Sequence, residues 1–321
     1  MGGLEWDEAS RGSFGGTEVM ARELERRLPG ELLERFQIVT SQVKTLAPDK
    51  IRVFWCHCTP YARPAAYLAN GGWRNFHRIV FVSNWQAQAF ISKFGIPWSR
   101  CQVMLNAIEP IAVSDDRFIP VPAGTPVRLV YTPVPNRGLD ILHAVFGQIC
   151  ELGIDVELDV FSSWKLYGWP SDGPFEELLG ALRRNPKVRY HGAVPNQQVR
   201  EVLARSHVFA YPASAEETSC LCLMEAMSAG LACVHPNNGA LYETAAGWTL
   251  MYQWHDDPHA HAAVFYRTVM TAIGALRAGD AGLLRMLAAQ KAYADFHYGW
   301  DRRLAVWEPF LRGIAGIALD G

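Results

Sequence analysis

The sequence predicts an α/β protein built from two doubly wound parallel-sheet domains, and three observations predict it. Short apolar, often β-branched runs alternate with longer amphipathic ones along most of the chain, the pattern of right-handed β-α-β crossovers. The alternation comes in two series. Between them lies Ile119-Pro120-Val121-Pro122-Ala123-Gly124-Thr125-Pro126, which breaks helix and strand alike and reads as an interdomain linker. The chain has 321 residues, 50% hydrophobic and 19% charged, too long for one ordinary domain and enough to bury two cores.

The first series of strands is predicted at Phe36–Thr40, Arg52–Cys56, Ile79–Ser83 and Cys101–Leu105. Helices are expected at Thr17–Leu28 and Asn84–Phe94. The second series runs through Val127–Tyr131, Val156–Phe161, Val188–His191, Val208–Tyr211 and Leu231–His235, with a last strand signal at Thr249–Tyr252. Its helices are expected at Leu139–Leu152, Phe175–Arg184, Gln197–Ala204 and Leu221–Ala229, and the chain from Asp257 onward is helical in pattern. Only 14 residues precede Gly15, with little that is apolar, so the first domain is expected to be shortened.

Composition excludes several functions. The formal charge of −2 argues against electrostatic capture of nucleic acid or of an anionic membrane as the main mode of action, so any anion site must be local. The longest apolar runs, such as Ile79–Val82, are far below the roughly 18–20 residues that span a bilayer. The first ten residues carry Glu5, Asp7 and Glu8 and have no apolar segment, unlike a secretory signal. Seven cysteines, an odd number, read as free thiols in a reducing compartment. A cytoplasmic protein is therefore expected. Asp155, Glu157 and Asp159 alternate along one strand and read as strand-face charges, not as a metal motif, and no metal is implied.

In doubly wound sheets ligands sit beyond the carboxyl ends of the strands, so the loops after strands carry the interest. The most specific of these runs from Tyr211 to Gly230. A strand ends near Tyr211, a polar loop follows, Ser219 is an expected N-cap, and Gly230 is expected just past the end of the helix. The amides of Thr218, Ser219, Cys220 and Leu221 then form an anion-binding helix start. Glu217 lies at the loop edge and Glu225 two turns into the helix, placed to take sugar hydroxyls on either side of a phosphate.

This Glu-x7-Glu spacing, followed by Glu225-Ala-Met-Ser-Ala-Gly230, resembles glycosyltransferase family 4 of the retaining glycosyltransferases. The resemblance covers about residues 12–315. It implies the GT-B fold, two facing Rossmann-like domains with a nucleotide-sugar between them. The domains would be residues 1–115, joined by a returning helix 300–321, and residues 124–299. Gly15 and Gly16 look like the family's N-terminal glycine loop, and His57 like the histidine that orients the donor hexose. Arg137, in Pro135-Asn136-Arg137-Gly138, resembles the cation that neutralises the diphosphate. His191 and Gly192 resemble the loop that holds the base, and Asn237-Asn238-Gly239 with Glu243 a later loop beside the second carboxylate. Thr132 stands where the family commonly has a second basic residue, which makes Lys165 the other candidate cation.

The resemblance implies a metal-independent, retaining hexosyltransferase. It would need no cofactor, would use a UDP-sugar or GDP-mannose as donor, and would act on a carbohydrate, lipid-linked or small-molecule acceptor. Neither nucleic acid nor a membrane span is expected, and peripheral contact with a membrane stays open. Two rivals remain: a sugar-nucleotide epimerase or hydrolase on the same fold, and a non-catalytic sugar-nucleotide-binding module.

Overall fold

A computed structural model describes residues 3–5, 15–40, 42–114 and 116–316, the first three by their backbone alone. The chain forms two compact units. One comprises Met1–Ala107, Glu217–Ser219 and Tyr298–Gly321; the other comprises Ile108–Glu216 and Cys220–His297.

The first unit holds a five-stranded parallel sheet of β1 (Gly3–Glu5), β2 (Phe36–Val39), β3 (Ile51–Cys56), β4 (Arg78–Phe81) and β5 (Cys101–Val103). A strand does precede the glycine loop. β1 pairs with β2 in the register Gly3↔Gln37, Leu4↔Ile38, Glu5↔Val39. Three residues that open on a glycine are too short to register as a strand. Among the described residues the strands lie in chain order, β1-β2-β3-β4-β5. Helices α1 (Gly16–Arg27) and α2 (Gly30–Leu33) connect β1 to β2, and α3 (Asn84–Phe94) connects β4 to β5. Ser83 caps α3 by accepting from the Gln86 amide, and Gly95 ends it at φ 65°. The β3–β4 connection, Arg63–Asn75, is 3-10 helix, broken where Asn70 and Gly71 adopt φ of 51° and 82°.

Strand alternation divides β3 between two faces. Phe54 and Cys56 enter a core with Leu68, Trp73, Phe81 and Phe90. Trp55 packs instead against Trp307 of the C-terminal helix Trp300–Ala315, with ring centroids 4.9 Å apart.

The second unit holds β6 (Val127–Tyr131), β7 (Val156–Val160), β8 (Val188–Tyr190), β9 (Val208–Ala210), β10 (Ala232–Pro236) and β11 (Leu250–Tyr252). All pair in parallel, in the order β11-β10-β9-β6-β7-β8, which reverses between β9 and β6. The helices are α4 (Leu139–Glu151), α5 (Glu176–Arg184), α6 (Asn196–Leu203), α7 (Leu221–Ser228), α8 (Leu241–Ala245), α9 (Pro258–Ala278) and α10 (Ala281–His297). The α7 end follows the expected pattern. Gly230 sits at φ 67°, its N–H donates to the Met227 carbonyl and that of Leu231 to Ala226, so the last carbonyls are satisfied.

Two sequence expectations change. The proline-rich stretch is not a free linker, because it lies within the second unit. Val121 is buried, its N–H donates to Leu276 O at 3.1 Å, and Arg277 donates to Pro122 O at 2.6 Å. Proline fixes φ and lacks an N–H, so the run stays extended with carbonyls open to a donor on α9. Asp159 is not a strand-face charge either, since it is fully buried. Arg189 forks onto both of its oxygens at 3.0 and 2.8 Å, and His191 Nε2 lies 2.7 Å away. Burial alone would push the carboxyl up, but the bonds to Arg189 and His191 outweigh it and hold Asp159 below the usual carboxylate range.

Candidate functional site

In the second unit the strand order reverses between β6 and β9, where an open α/β sheet leaves a crevice beyond the carboxyl ends of its strands. The two loops that leave these ends are fastened together. Gly138 sits at φ 96°, and a Cβ there would lie 2.0 Å from the Pro212 carbonyl oxygen, so only glycine permits the approach. Ser214 Oγ donates to Asn136 O at 3.2 Å, and Arg137 Nη1 donates to Glu216 O at 3.2 Å. The sequence-predicted cation therefore stands at the reversal, half-buried, in the loop just before α4. Thr132, where a second cation was looked for, is buried, and its hydroxyl lacks a hydrogen-bond partner among the described residues. Ser162, beyond the end of β7, is the same. Lys165 is exposed in the 3-10 turn Trp164–Tyr167 after β7.

The helix start differs from expectation by one residue. Cys220, not Ser219, is the N-cap of α7, with φ −91° and ψ 97°, and no side chain caps the helix. A thiol is a weak acceptor, so the first turn of amides gains nothing from it. Leu221 opens the helix. Glu225 is mostly buried and accepts from Asn196 Nδ2 at 2.9 Å, with Arg200 at 3.7 Å. Burial pushes its carboxyl above the ordinary range against the pull of Asn196 and Arg200. These two α6 residues were missed by sequence reasoning, although Pro195-Asn196 does signal a helix start. His191 stacks flat on Phe161, with centroids 4.1 Å apart and 7° between planes, and Gly192 follows at φ 68°. Phe161, Arg189 and Asp159 thus fix the His191 ring, an arrangement without a spacing signal in the sequence.

In the first unit His57 follows the end of β3. Its ring lies 4.6 Å from that of Trp55, its Nε2 is buried without a hydrogen-bond partner among the described residues, and burial pushes its pKa down to about 3. The imidazole is neutral at pH 7, able to donate or accept one hydrogen bond but carrying no charge. The strand end is held by Gln86, another residue the sequence did not flag. Its Nε2 donates to Cys58 O at 2.8 Å and to Cys56 O at 3.2 Å, while its Oε1 accepts from Val82 N–H at 2.8 Å. Glu217, Thr218 and Ser219 belong to this unit, where Thr218 Oγ1 donates to the His57 carbonyl at 3.1 Å. Glu217 is half-buried. Ser219 Oγ is buried without a hydrogen-bond partner among the described residues. Gly15 is the buried N-cap of α1 and Gly16 its exposed first residue; the φ of Gly15 is −67°, so no left-handed turn explains it. Among the described residues no group of three or more side chains is placed to hold a metal ion.

The second unit also carries the similarity to known families. Residues 128–283 match the family described as glycosyl transferases group 1. Among curated proteins, the phosphatidylinositol N-acetylglucosaminyltransferase GPI3 subunit of Saccharomyces cerevisiae is 26% identical over 192 residues, which is 56% of this chain and 39% of that protein. This chain thus spans well under half the length of that relative. Among solved structures, a glycosyltransferase from Rickettsia africae matches with a TM-score of 0.67 at 12% identity, over 94% of this chain and 81% of that one. Anabaena HepE in complex with UDP and glucose matches with a TM-score of 0.63 at 13% identity, over 94% and 84%. The two parallel-sheet units and these neighbours give the chain the GT-B fold.

Proposed function

We propose that the protein is a retaining hexosyltransferase of family 4 that takes its sugar from a nucleoside diphosphate without a metal or other cofactor. The observation that carries this reading lies where the second sheet reverses. Arg137 and two buried hydroxyls without a partner among the described residues, Thr132 and Ser162, stand at or beyond the carboxyl ends of adjacent strands. A buried polar group without a partner costs about 1–3 kcal/mol, and a polar ligand would remove that cost. Arg137 would fork onto the diphosphate and stabilise charge as the sugar bond breaks. The amides from Thr218 to Leu221 would take the phosphate as well, with Lys165 nearby in sequence to β7. Glu217 would hold the transferring hexose, and Glu225 the ribose. Neutral His57 would orient the sugar without acting as a base, with Gly15 and Gly16 leaving room for the donor or acceptor and His191 and Gly192 bordering the base.

UDP is the favoured nucleotide, since the HepE structure holds UDP and glucose. The yeast relative's name puts phosphatidylinositol and N-acetylglucosamine among its substrates, which favours an amino-hexose donor and a lipid-linked acceptor here. No helix among the described residues is long and apolar enough to cross a membrane. A cytoplasmic enzyme that meets such an acceptor at a membrane surface is the matching location.

Transfer from UDP- and GDP-hexoses to candidate acceptors, with donor hydrolysis as control, tests the reading. Glu217→Gln should lose more than tenfold in turnover, about 1.4 kcal/mol of barrier, with unchanged thermal unfolding. Near-normal turnover by this variant refutes the role of Glu217. Thr132 in place of a cation favours one rival, a sugar-nucleotide-binding module without turnover; binding of UDP with neither transfer nor hydrolysis would establish it.

A further inference from the structure

Cys56 and Cys58 flank His57, and their sulfurs are 3.8 Å apart. The other cysteines take no part in this contact, and all seven are thiols. Three features set this pair apart from buried structural cysteines. The first is asymmetry of exposure, since Cys56 is buried in the sheet core while Cys58 is half-buried. The second is asymmetry of acidity. The S–H of Cys56, with the backbone amides of Cys58 and Ala65, favours the Cys58 thiolate, whereas burial pushes Cys56 well up. The third is the Gln86 amide, which holds the carbonyls of both cysteines and lies 3.5 Å from Cys56 Sγ. The backbone on each side of His57 is thus fixed while the sulfurs approach.

We infer that Cys56 and Cys58 are a reversible disulfide site that closes across His57. Cys58 is the attacking thiolate and Cys56 the resolving thiol. With hydrogen peroxide as oxidant, the Cys58 sulfur takes one peroxide oxygen and becomes a sulfenic acid as the O–O bond breaks, and the other oxygen leaves as water once protonated. Cys56 sulfur then attacks the Cys58 sulfur, its proton leaves with the hydroxyl as a second water, and the S–S bond forms. Two thiols are oxidised by two electrons and one peroxide is reduced. An external dithiol reverses the sequence by exchange. A disulfide needs the sulfurs at about 2.05 Å, so they must close by well over an ångström. With the carbonyls on either side held by Gln86, the motion falls on the peptide of His57. The same peptide carries the carbonyl bonded by Thr218, so closure disturbs both the ring and the Glu217–Ser219 segment. This effect on the site rests on the proposed function, whereas the disulfide itself does not.

The experiment uses the full chain, oxidised with stoichiometric hydrogen peroxide, blocked with an alkylating reagent and digested with trypsin. The peptide Val53–Arg74 contains these two cysteines and no other. It should appear lighter by two hydrogens and unalkylated, and should take two alkyl groups after dithiothreitol. Cys56→Ser should stop at a sulfenic acid on Cys58 that a dimedone probe captures, and Cys58→Ser should leave Cys56 a thiol. Two alkyl groups on the oxidised wild-type peptide, over-oxidation of Cys58 with Cys56 free, or pairing with any other cysteine would overturn the proposal. In parallel, UDP binding by calorimetry should weaken at least fivefold on oxidation of the wild type and recover on reduction, with no change in Cys58→Ser. A disulfide that forms without altering binding overturns the effect on the Glu217–Ser219 segment. A reduced wild type that binds neither UDP nor GDP counts against the transferase reading alone, since the peptide mass still decides the disulfide.

Discussion

The end of β3 in the first unit and the paired loops after β6 and β9 in the second do comparable work by different means. At the reversal of the second sheet two loops are fastened by a close backbone approach, Gly138 under the Pro212 carbonyl, and by the Ser214 and Arg137 side chains, each bonded to a carbonyl of the opposite loop. At the end of β3 one side chain, Gln86, reaches across 30 positions of sequence to hold Cys56 and Cys58. Both fastenings join residues distant in sequence, 78 and 79 positions apart in the first and 30 and 28 in the second, but the first uses residues of short motifs and the second a single side chain. The first kind leaves a mark in a short motif; the second leaves none.

Four expected outcomes break or sharpen this contrast. The largest is for Gly138→Ala, which forces a Cβ onto a carbonyl at a left-handed φ. It should cost about 4 kcal/mol, measured by urea unfolding, with faster hydrogen exchange centred on the loops after β6 and β9. Gln86→Leu should cost about 3 kcal/mol by leaving the Val82 amide and two carbonyls without their partner. Its exchange should rise around residues 53–60 and not at the second-unit loops. If both variants loosen the same peptides, the two regions are not independent. Next, Arg137→Ala should lower kcat/KM for the donor at least a hundredfold, about 2.7 kcal/mol, and Arg137→Lys should recover only part. Unchanged UDP affinity in Arg137→Ala would move the phosphate contact to another cation, with Lys165→Ala the next variant.

The smallest concerns acid. His235 is fully buried, with Nε2 2.8 Å from Thr249 Oγ1, and burial pushes its pKa down to about 4. Below an ordinary pKa of about 6.5 the unfolded chain takes up a proton that the folded ring refuses. Its contribution is thus complete above that pH and is lost progressively as the pH falls toward 4. Between pH 7 and pH 5 the loss should be about 2 kcal/mol, seen in urea midpoints, and His235→Gln should flatten the slope. His57 titrates in the same direction, so acid weakens both regions while Gly138→Ala and Gln86→Leu separate them.

What was legible follows the same division. Strands with several β-branched or aromatic residues and helices with clear ends fall within a residue or two of their expected limits, as at Val127–Tyr131 and Asn84–Phe94. β1 and α2 are too short to carry a period, and Arg63–Asn75 mixes proline, alanine and paired glycines into a pattern that fits neither template. Of the candidate site, Arg137, Glu217 and Glu225 could be proposed from sequence because they sit in motifs with fixed spacing. Asn196 and Arg200 beside Glu225, Arg189 and Asp159 beside His191, and Gln86 beside the cysteines were not. Asp159, Asn196, Arg200 and Gln86 each lie on a different strand or helix from the residue they hold, and only the fold brings them within reach.

The extended proline-rich segment decides where the second unit can be cut. A fragment that begins at Val127 would discard Val121, which plugs the end of α9, and Arg117, whose guanidinium donates to the carbonyls of Ser206 and Gly230. Gly230 would also lose the Phe118 ring that lies where its Cβ would point. Such a fragment would keep every strand of its sheet and still lose the clasp over one end of it. A fragment that begins at Ile108 retains that clasp, so about twenty residues that look like spacer in the sequence are the difference between an excised domain and a frayed one.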